Sequence, residues 1–164
     1  MKNLIVVLLL LAGASWLISC NQPNTPPPKP REKSQAEIIQ SVKQSVVTVI
    51  VRDEAGQLIQ TCSGVIVAPP EPNAYARVVT CLHCFNVFGA DSAEVILSTG
   101  AKYPVRNIVA EDARHDLLKL SIELPGDAAP SLPLAEKLPE QGESIFVISS
   151  PNGIPGSLAT GIVS

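Results

Sequence analysis

Aromatic residues are scarce in this chain, because Phe, Trp and Tyr make up only 4% of its 164 residues. Any hydrophobic core must therefore be built mainly from Val, Ile and Leu. Basic residues are not in excess either, since 12 Lys and Arg stand against 15 Asp and Glu, which gives a net charge of −3. No nucleic-acid partner is expected, because phosphate binding needs a basic surface. The sequence also has no internal repeat of fixed period, which disfavours solenoid and propeller arrays.

The N-terminal segment carries the features of an export signal. An apolar run occupies residues 4–11 after the basic Lys2, and it is too short to cross a bilayer comfortably. Residues 17–20 read LISC and resemble a bacterial lipobox, in which the chain is cut before the cysteine and lipid is attached to it. We therefore expect a lipoprotein signal peptide over residues 1–19 and lipidation of Cys20. An ordinary secretory signal or a single-pass anchor is the alternative.

Export places the mature chain outside the cytoplasm, and lipid on Cys20 would anchor it to a membrane facing the periplasm or the cell exterior. Residues 21–33 contain five prolines and almost no apolar side chain, so residues 20–34 are predicted to form an extended linker. The remaining residues 35–164 are enough for one hydrophobic core or two small ones.

The folded part is predicted to be almost entirely β. A capping-box sequence at Ser34 and Glu37 predicts one short helix that ends near Gln44. Thereafter short β-branched and apolar runs alternate with glycine and proline turns, which is typical of a β-barrel or sandwich. These runs cover residues 47–51, 57–61, 64–67, 77–81, 94–97, 103–109, 117–122, 145–149 and 158–163. No series of long helices alternates with them, which disfavours a parallel α/β sheet.

Two segments carry residues suited to acid–base chemistry. Residues 78–84 read VVTCLHC, an apolar strand that ends at His83, and Asp116 immediately precedes the apolar run LLKL. Histidine is the usual general base near neutral pH, and an aspartate can orient it. The structural alternatives are a strand-end histidine satisfied by a backbone carbonyl and a turn aspartate. His115, beside Asp116, is expected to be a solvated loop residue.

These segments together resemble the trypsin-like serine proteases of chymotrypsin fold, and within them the HtrA/Deg-type bacterial enzymes. The similar stretches occur in the family's order, at residues 45–51, 62–67, 78–84, 116–120, 142–153 and 161–164. The resemblance implies an all-β, double-barrel domain over residues 35–164, with the first barrel complete and the second truncated.

The resemblance also implies roles for the two acid–base residues. His83 would act as general base and Asp116 as its orienter, with polypeptides as substrates and neither a metal nor an organic cofactor. In this family the nucleophilic serine lies in a Gly-x-Ser-Gly-Gly turn, and no such sequence occurs in these 164 residues. We therefore expect the chain to be an inactive fragment of a serine endopeptidase, and a genuine truncated product is the alternative. Substrate preference and oligomeric state are not predicted.

The cysteines allow other interpretations. The resemblance implies a disulfide between Cys62 and Cys84, which leaves Cys81 free, although a pairing of Cys62 with Cys81 stays open. Cys81 and Cys84 also form a C-x-x-C motif, but the helix that a thiol oxidoreductase needs after it is disfavoured by the helix-breaking residues Asn86, Gly89 and Asp91.

The same residues allow two further function classes. A zinc site would combine Cys81, His83 and Cys84 with Cys62, and the first three are expected to be too crowded for comfortable tetrahedral coordination. A protease fold kept as a non-catalytic binding module is compatible with every feature of residues 45–164.

Overall fold

A computed structural model describes residues 31–67, 75–125, 128–150 and 156–164 of the protein. The predicted signal peptide, Cys20 and most of the proline-rich linker lie outside these described residues. The chain divides into two units, Met1–Glu32 and Lys33–Ser164, and the description below concerns the second. Within the described residues, no helix is both long enough and apolar enough to cross a membrane.

The helix α1, Gln35–Lys43, begins where the sequence predicts. The Ser34 hydroxyl accepts a hydrogen bond from the Glu37 amide at 3.3 Å, and the Glu37 carboxylate accepts one from the Ser34 amide at 2.7 Å. This reciprocal pair satisfies amide groups that a helix start otherwise leaves unbonded, so the capping-box prediction is confirmed.

Six antiparallel strands then close into a barrel, which confirms the all-β prediction and selects the barrel over the sandwich. Around the barrel the order is β1-β2-β3-β6-β5-β4. The strands are β1 Val46–Arg52, β2 Leu58–Val67, β3 Ala76–Cys81, β4 Ser92–Ile96, β5 Lys102–Asp112 and β6 Leu117–Ile122.

A second, two-stranded antiparallel sheet follows the barrel, formed by β7 Ser144–Ser149 and β8 Ser157–Ile162. The fold class is therefore that expected, a closed barrel followed by part of a second one. The sheet meets the barrel through a backbone amide, since Ser150 N–H donates to the Ser63 hydroxyl on β2 at 2.8 Å. An isolated parallel bridge between Val67 and Leu132 also ties the connecting segment to β2.

Aliphatic side chains fill the barrel, as the scarcity of aromatic residues predicts. Those from all sides of the barrel pack in one cluster and are almost inaccessible to solvent, and they include Val47, Val49, Ile66, Val78, Val95, Leu118, Leu120 and Ile122. Phe85 and Tyr103 pack against the edge of this cluster and stay partly exposed. β-Branched residues suit such strands because they pack well on a pleated surface.

The structure corrects one strand boundary. The sequence predicts two short strands over residues 57–61 and 64–67, whereas the structure has one continuous strand, β2. Gly64 lies within this strand. Glycine suits the position because a Cβ there would come within 2.9 Å of a Val78 methyl and 3.1 Å of methyls on Val47 and Val49. Gly64 thus provides room for close side-chain packing and does not mark a turn.

Replacement of Gly64 by alanine should destabilise the barrel. The new methyl group would overpack a rigid core, which typically costs about 1–3 kcal/mol. Gly161→Ala is the matched control, because its Cβ would meet only a methylene of Ile145 at 3.8 Å. Chemical denaturation of both variants measures the difference in the free energy of unfolding, and equal stability of the two variants would contradict this packing account.

Candidate active site

The pairing of β3 with β6 brings the two acid–base residues together. Cys81, the last residue of β3, lies opposite Leu117, the first residue of β6. The chain continues from Cys81 into a single 3-10 turn, Leu82–Cys84, and Asp116 directly precedes β6. The Leu82 amide donates to the Asp116 carbonyl at 3.1 Å. His83 and Asp116, 33 residues apart in sequence, are therefore adjacent at one end of the barrel.

Both carboxylate oxygens of Asp116 contact His83. Asp116 Oδ1 accepts from the His83 backbone amide at 2.8 Å, and Oδ2 lies 2.5 Å from His83 Nδ1. These bonds favour the ionised carboxylate, so the pKa of Asp116 lies below its usual value, chiefly through the His83 side chain and then through its backbone N–H. One bond holds the His83 backbone and the other holds its ring, so the turn and the orientation of the imidazole are both constrained.

Asp116 adopts a backbone conformation that few side chains tolerate. Its φ angle is +55°, in the left-handed region, where aspartate and asparagine are the commonest residues apart from glycine. This conformation turns the chain so that the carbonyl meets Leu82 while the carboxylate meets His83. An asparagine would be compatible with the same backbone, but it offers one acceptor oxygen where His83 uses two, so it would lose one of these hydrogen bonds as well as the charge.

The contact with Asp116 decides which imidazole nitrogen is available. A carboxylate beside Nδ1 requires a proton on that nitrogen, so Nε2 of the neutral ring carries the lone pair. Nε2 lies 3.6 Å from the Sγ atom of Cys81. The His83 and Asp116 side chains are 63% and 48% exposed, so Nε2 is accessible to another molecule or segment.

A second histidine–aspartate pair lies in the turn before β6. His115 Nδ1 is 2.7 Å from Asp112 Oδ2, and this bond is the main cause of a lowered pKa at Asp112. His115 is exposed, as the sequence predicts, but its partner was not foreseen. The three-residue spacing of Asp112 and His115 is the sequence feature that could have indicated this contact. This pair is local to one turn, and it offers a matched control for His83.

A cleft of about 550 Å³ adjoins His83. Its wall includes Ser63 and Thr80 from the barrel, and Ile148 and Ser150 from β7 and the residue after it. Ser150 is fully buried, and within the described residues its hydroxyl has no hydrogen-bond partner. The cleft therefore combines apolar walls with polar groups beside an oriented imidazole, which is typical of a binding site.

The structure joins Cys62 and Cys84 by a disulfide, the pair that the resemblance implies. The bond connects β2 to the 3-10 turn, so it holds the backbone on either side of His83. Cys81 is free and half-buried, and its sulfur lies 3.0 Å from that of Cys84. A thiol oxidoreductase motif needs an α-helix after its first cysteine. The three-residue 3-10 turn here does not supply one.

The closed barrel and the small second sheet are consistent with a trypsin-like fold. The sequence model of the trypsin-like peptidase domain matches residues 62–164, and the chain belongs to this family. No curated protein matches significantly.

Among solved structures, the chain is similar in fold to a serine endoprotease from Yersinia pestis, with a TM-score of 0.64 and 21% sequence identity. The match covers 82% of this chain and 45% of the Yersinia chain. This chain therefore spans less than half the length of that enzyme.

Proposed function

We propose that the chain contributes the histidine–aspartate part of a serine endopeptidase site. The observation that carries this proposal is the paired contact of Asp116 with the His83 backbone and ring, which leaves Nε2 accessible next to a cleft. The same two residue types in the same roles activate serine nucleophiles on several unrelated folds. The family match and the Yersinia serine endoprotease of similar fold support the assignment.

The proposed chemistry is acyl transfer. Nε2 of His83 accepts the proton of a serine hydroxyl as that oxygen attacks the peptide carbonyl, and the imidazolium then donates the proton to the leaving amine. Asp116 holds the ring in position and stabilises its positive charge while the proton resides there. Water then hydrolyses the acyl-enzyme by the same route, so the His83 ring returns to its neutral form.

The nucleophile is assigned to a segment outside these 164 residues. None of their serines lies in a Gly-x-Ser-Gly-Gly sequence. Ser63, which lines the cleft, accepts a hydrogen bond from the Ser150 amide through its hydroxyl oxygen. We therefore propose that these residues alone do not cleave peptides. If the whole protein lacks such a serine as well, the oriented pair and its cleft belong to a non-catalytic peptide-binding module.

Loss of the His83 imidazole should abolish peptide cleavage. In the protein expressed from its complete coding region, His83→Ala is expected to lower casein cleavage by about 10⁴-fold or more, because the serine loses its general base. His115→Ala is the matched control, since it removes the other aspartate-paired histidine, and it should cleave at the wild-type rate. Equal activity of wild type and His83→Ala would refute the catalytic role, and an inert wild type would favour the binding module.

We also propose that the protein is exported and anchored through lipid on Cys20. The supporting observations are the apolar run at residues 4–11, the LISC sequence at residues 17–20, and the proline-rich stretch that follows. A linker of this kind would let the barrel stand off the membrane surface while it meets polypeptides.

Removal of the Cys20 thiol should release the protein from the membrane. Cys20→Ser, expressed in a bacterial host supplied with radiolabelled palmitate, is expected to lose the label and to leave the membrane fraction, because the acceptor of the lipid is gone. Cys81→Ser is the control and should keep both properties. Unlabelled wild-type protein would exclude the lipoprotein assignment and favour an ordinary secretory signal or a single-pass anchor.

A further inference from the structure

The free cysteine beside His83 belongs to a cluster of four potential metal ligands. One ligand atom from each of Cys62, Cys81, His83 and Cys84 can be chosen such that all four lie within 4.8 Å of one another. Serine peptidase chemistry uses none of the three sulfurs, and the disulfide accounts for only two of them. Cys81 packs against the barrel core, and its sulfur also belongs to this group of ligand atoms.

We propose that, when the disulfide is reduced, these four residues bind a thiophilic divalent cation such as Zn²⁺ in a tetrahedral Cys₃His site, with Nε2 of His83 as the nitrogen ligand. The metal site does not depend on the proposed peptidase function. Only the effect of the metal on catalysis rests on that proposed function, because a metal bound to Nε2 would occupy the lone pair that the general base uses.

Two of the distances between ligand atoms can be compared with those of tetrahedral coordination. Zinc bonds of about 2.3 Å to sulfur and 2.0–2.1 Å to nitrogen place neighbouring ligand atoms roughly 3.5–3.8 Å apart. The separation of Cys81 Sγ from His83 Nε2 is 3.6 Å, and that of the Cys81 and Cys84 sulfurs is 3.0 Å. The distance between the Cys81 and Cys84 sulfurs must increase by less than about 1 Å. Rotation of the cysteine side chains can supply this change. The sulfurs of Cys62 and Cys84, which are bonded in the oxidised protein, must also separate to about 3.8 Å on reduction, so the crowding expected from the sequence is relieved only when the disulfide opens.

Asp116 would orient His83 as a metal ligand. A histidine that binds a metal usually donates its other ring N–H to a carboxylate, which fixes the tautomer and makes the ligating nitrogen more basic. The 2.5 Å contact of His83 Nδ1 with Asp116 Oδ2 provides this support. The orientation that suits a general base therefore also suits a metal ligand.

The protein scaffold around the cluster is rigid on one side and open on the other. Cys62 and Cys84 are buried at the barrel wall, Cys81 is half-buried and His83 is exposed. Cys81 and Cys84 have the two-residue spacing common in zinc sites, and Cys62 is supplied by the neighbouring strand β2. An ion can reach the cluster from the cleft that Cys62, Cys81 and His83 line.

Disulfide formation and metal binding exclude each other. An external dithiol transfers two electrons and two protons to the Cys62–Cys84 bond and becomes a disulfide itself, which leaves three thiols in the cluster. Binding of Zn²⁺ then releases three protons, one from each thiol, while His83 binds as the neutral ring and keeps its Nδ1 proton beside Asp116. Reduction thus converts an accessible imidazole into one held by a metal.

Cobalt(II) binding tests the proposal directly, because thiolate-to-cobalt charge transfer and tetrahedral ligand-field bands report the ligand set. The full chain, reduced with a phosphine under anaerobic conditions, is expected to bind one Co²⁺ with both signatures and to release it to Zn²⁺. Cys81→Ser and His83→Ala should weaken binding by at least about 10-fold, because each removes a ligand atom. Asp116→Asn should weaken it by about 10-fold, because Asp116 orients the His83 ring. His115→Ala should bind like wild type.

Reduced wild type that binds Co²⁺ no more tightly than Cys81→Ser, or without thiolate charge transfer, would overturn the proposal. Equal losses in His83→Ala and His115→Ala would do the same. If reduction unfolds the chain, Zn²⁺ should restore the native near-UV circular dichroism in wild type but not in Cys81→Ser, and failure to do so would also overturn it. None of these readouts uses peptide cleavage, so the metal site and the peptidase function can fail separately.

Discussion

The two-oxygen contact of Asp116 with His83 is the interaction on which the functional end of this barrel depends. One carboxylate oxygen holds the His83 backbone and the other holds its ring, so the turn and the side chain are fixed together. The contact exists because the β3–β6 ladder places Cys81 opposite Leu117. A left-handed backbone at Asp116 then directs its carboxylate to the turn. Barrel closure, aliphatic packing and the Cys62–Cys84 disulfide all act to hold that ladder end in place.

Much of the fold follows from local sequence, whereas the fine structure of the site does not. β-Branched runs broken by glycine and proline predict the strands, because such residues favour a pleated, half-buried backbone and turns need special φ angles. The boundary at Gly64 was wrong because its role comes from Val47, Val49 and Val78, which lie on other parts of the barrel. Local pattern contains no information on such cross-strand packing.

The site residues show the same division. His83 and Asp116 are suggested by their residue types beside apolar strands, but their pairing is supported mainly by resemblance to a family, since 33 residues separate them and no spacing rule joins them. The sequence did not predict that Cys81 Sγ would lie 3.6 Å from Nε2, because this distance depends on the 3-10 turn that follows β3. In the two proposals above, this contact gives one imidazole two incompatible uses, as an unoccupied base or as a ligand in a sulfur-rich site. Both uses require the same protonation of Nδ1.

The ring tautomer of His83 is therefore the most direct test of the account, and long-range ¹H–¹⁵N NMR of the folded chain in its oxidised form measures it. The account predicts that the neutral ring carries its proton on Nδ1 and leaves Nε2 bare, and that Asp116→Asn, which keeps the backbone conformation, weakens this preference. A neutral His83 ring protonated on Nε2 in the wild-type protein would contradict it, because such a ring could neither accept a serine proton nor bind a metal through that nitrogen.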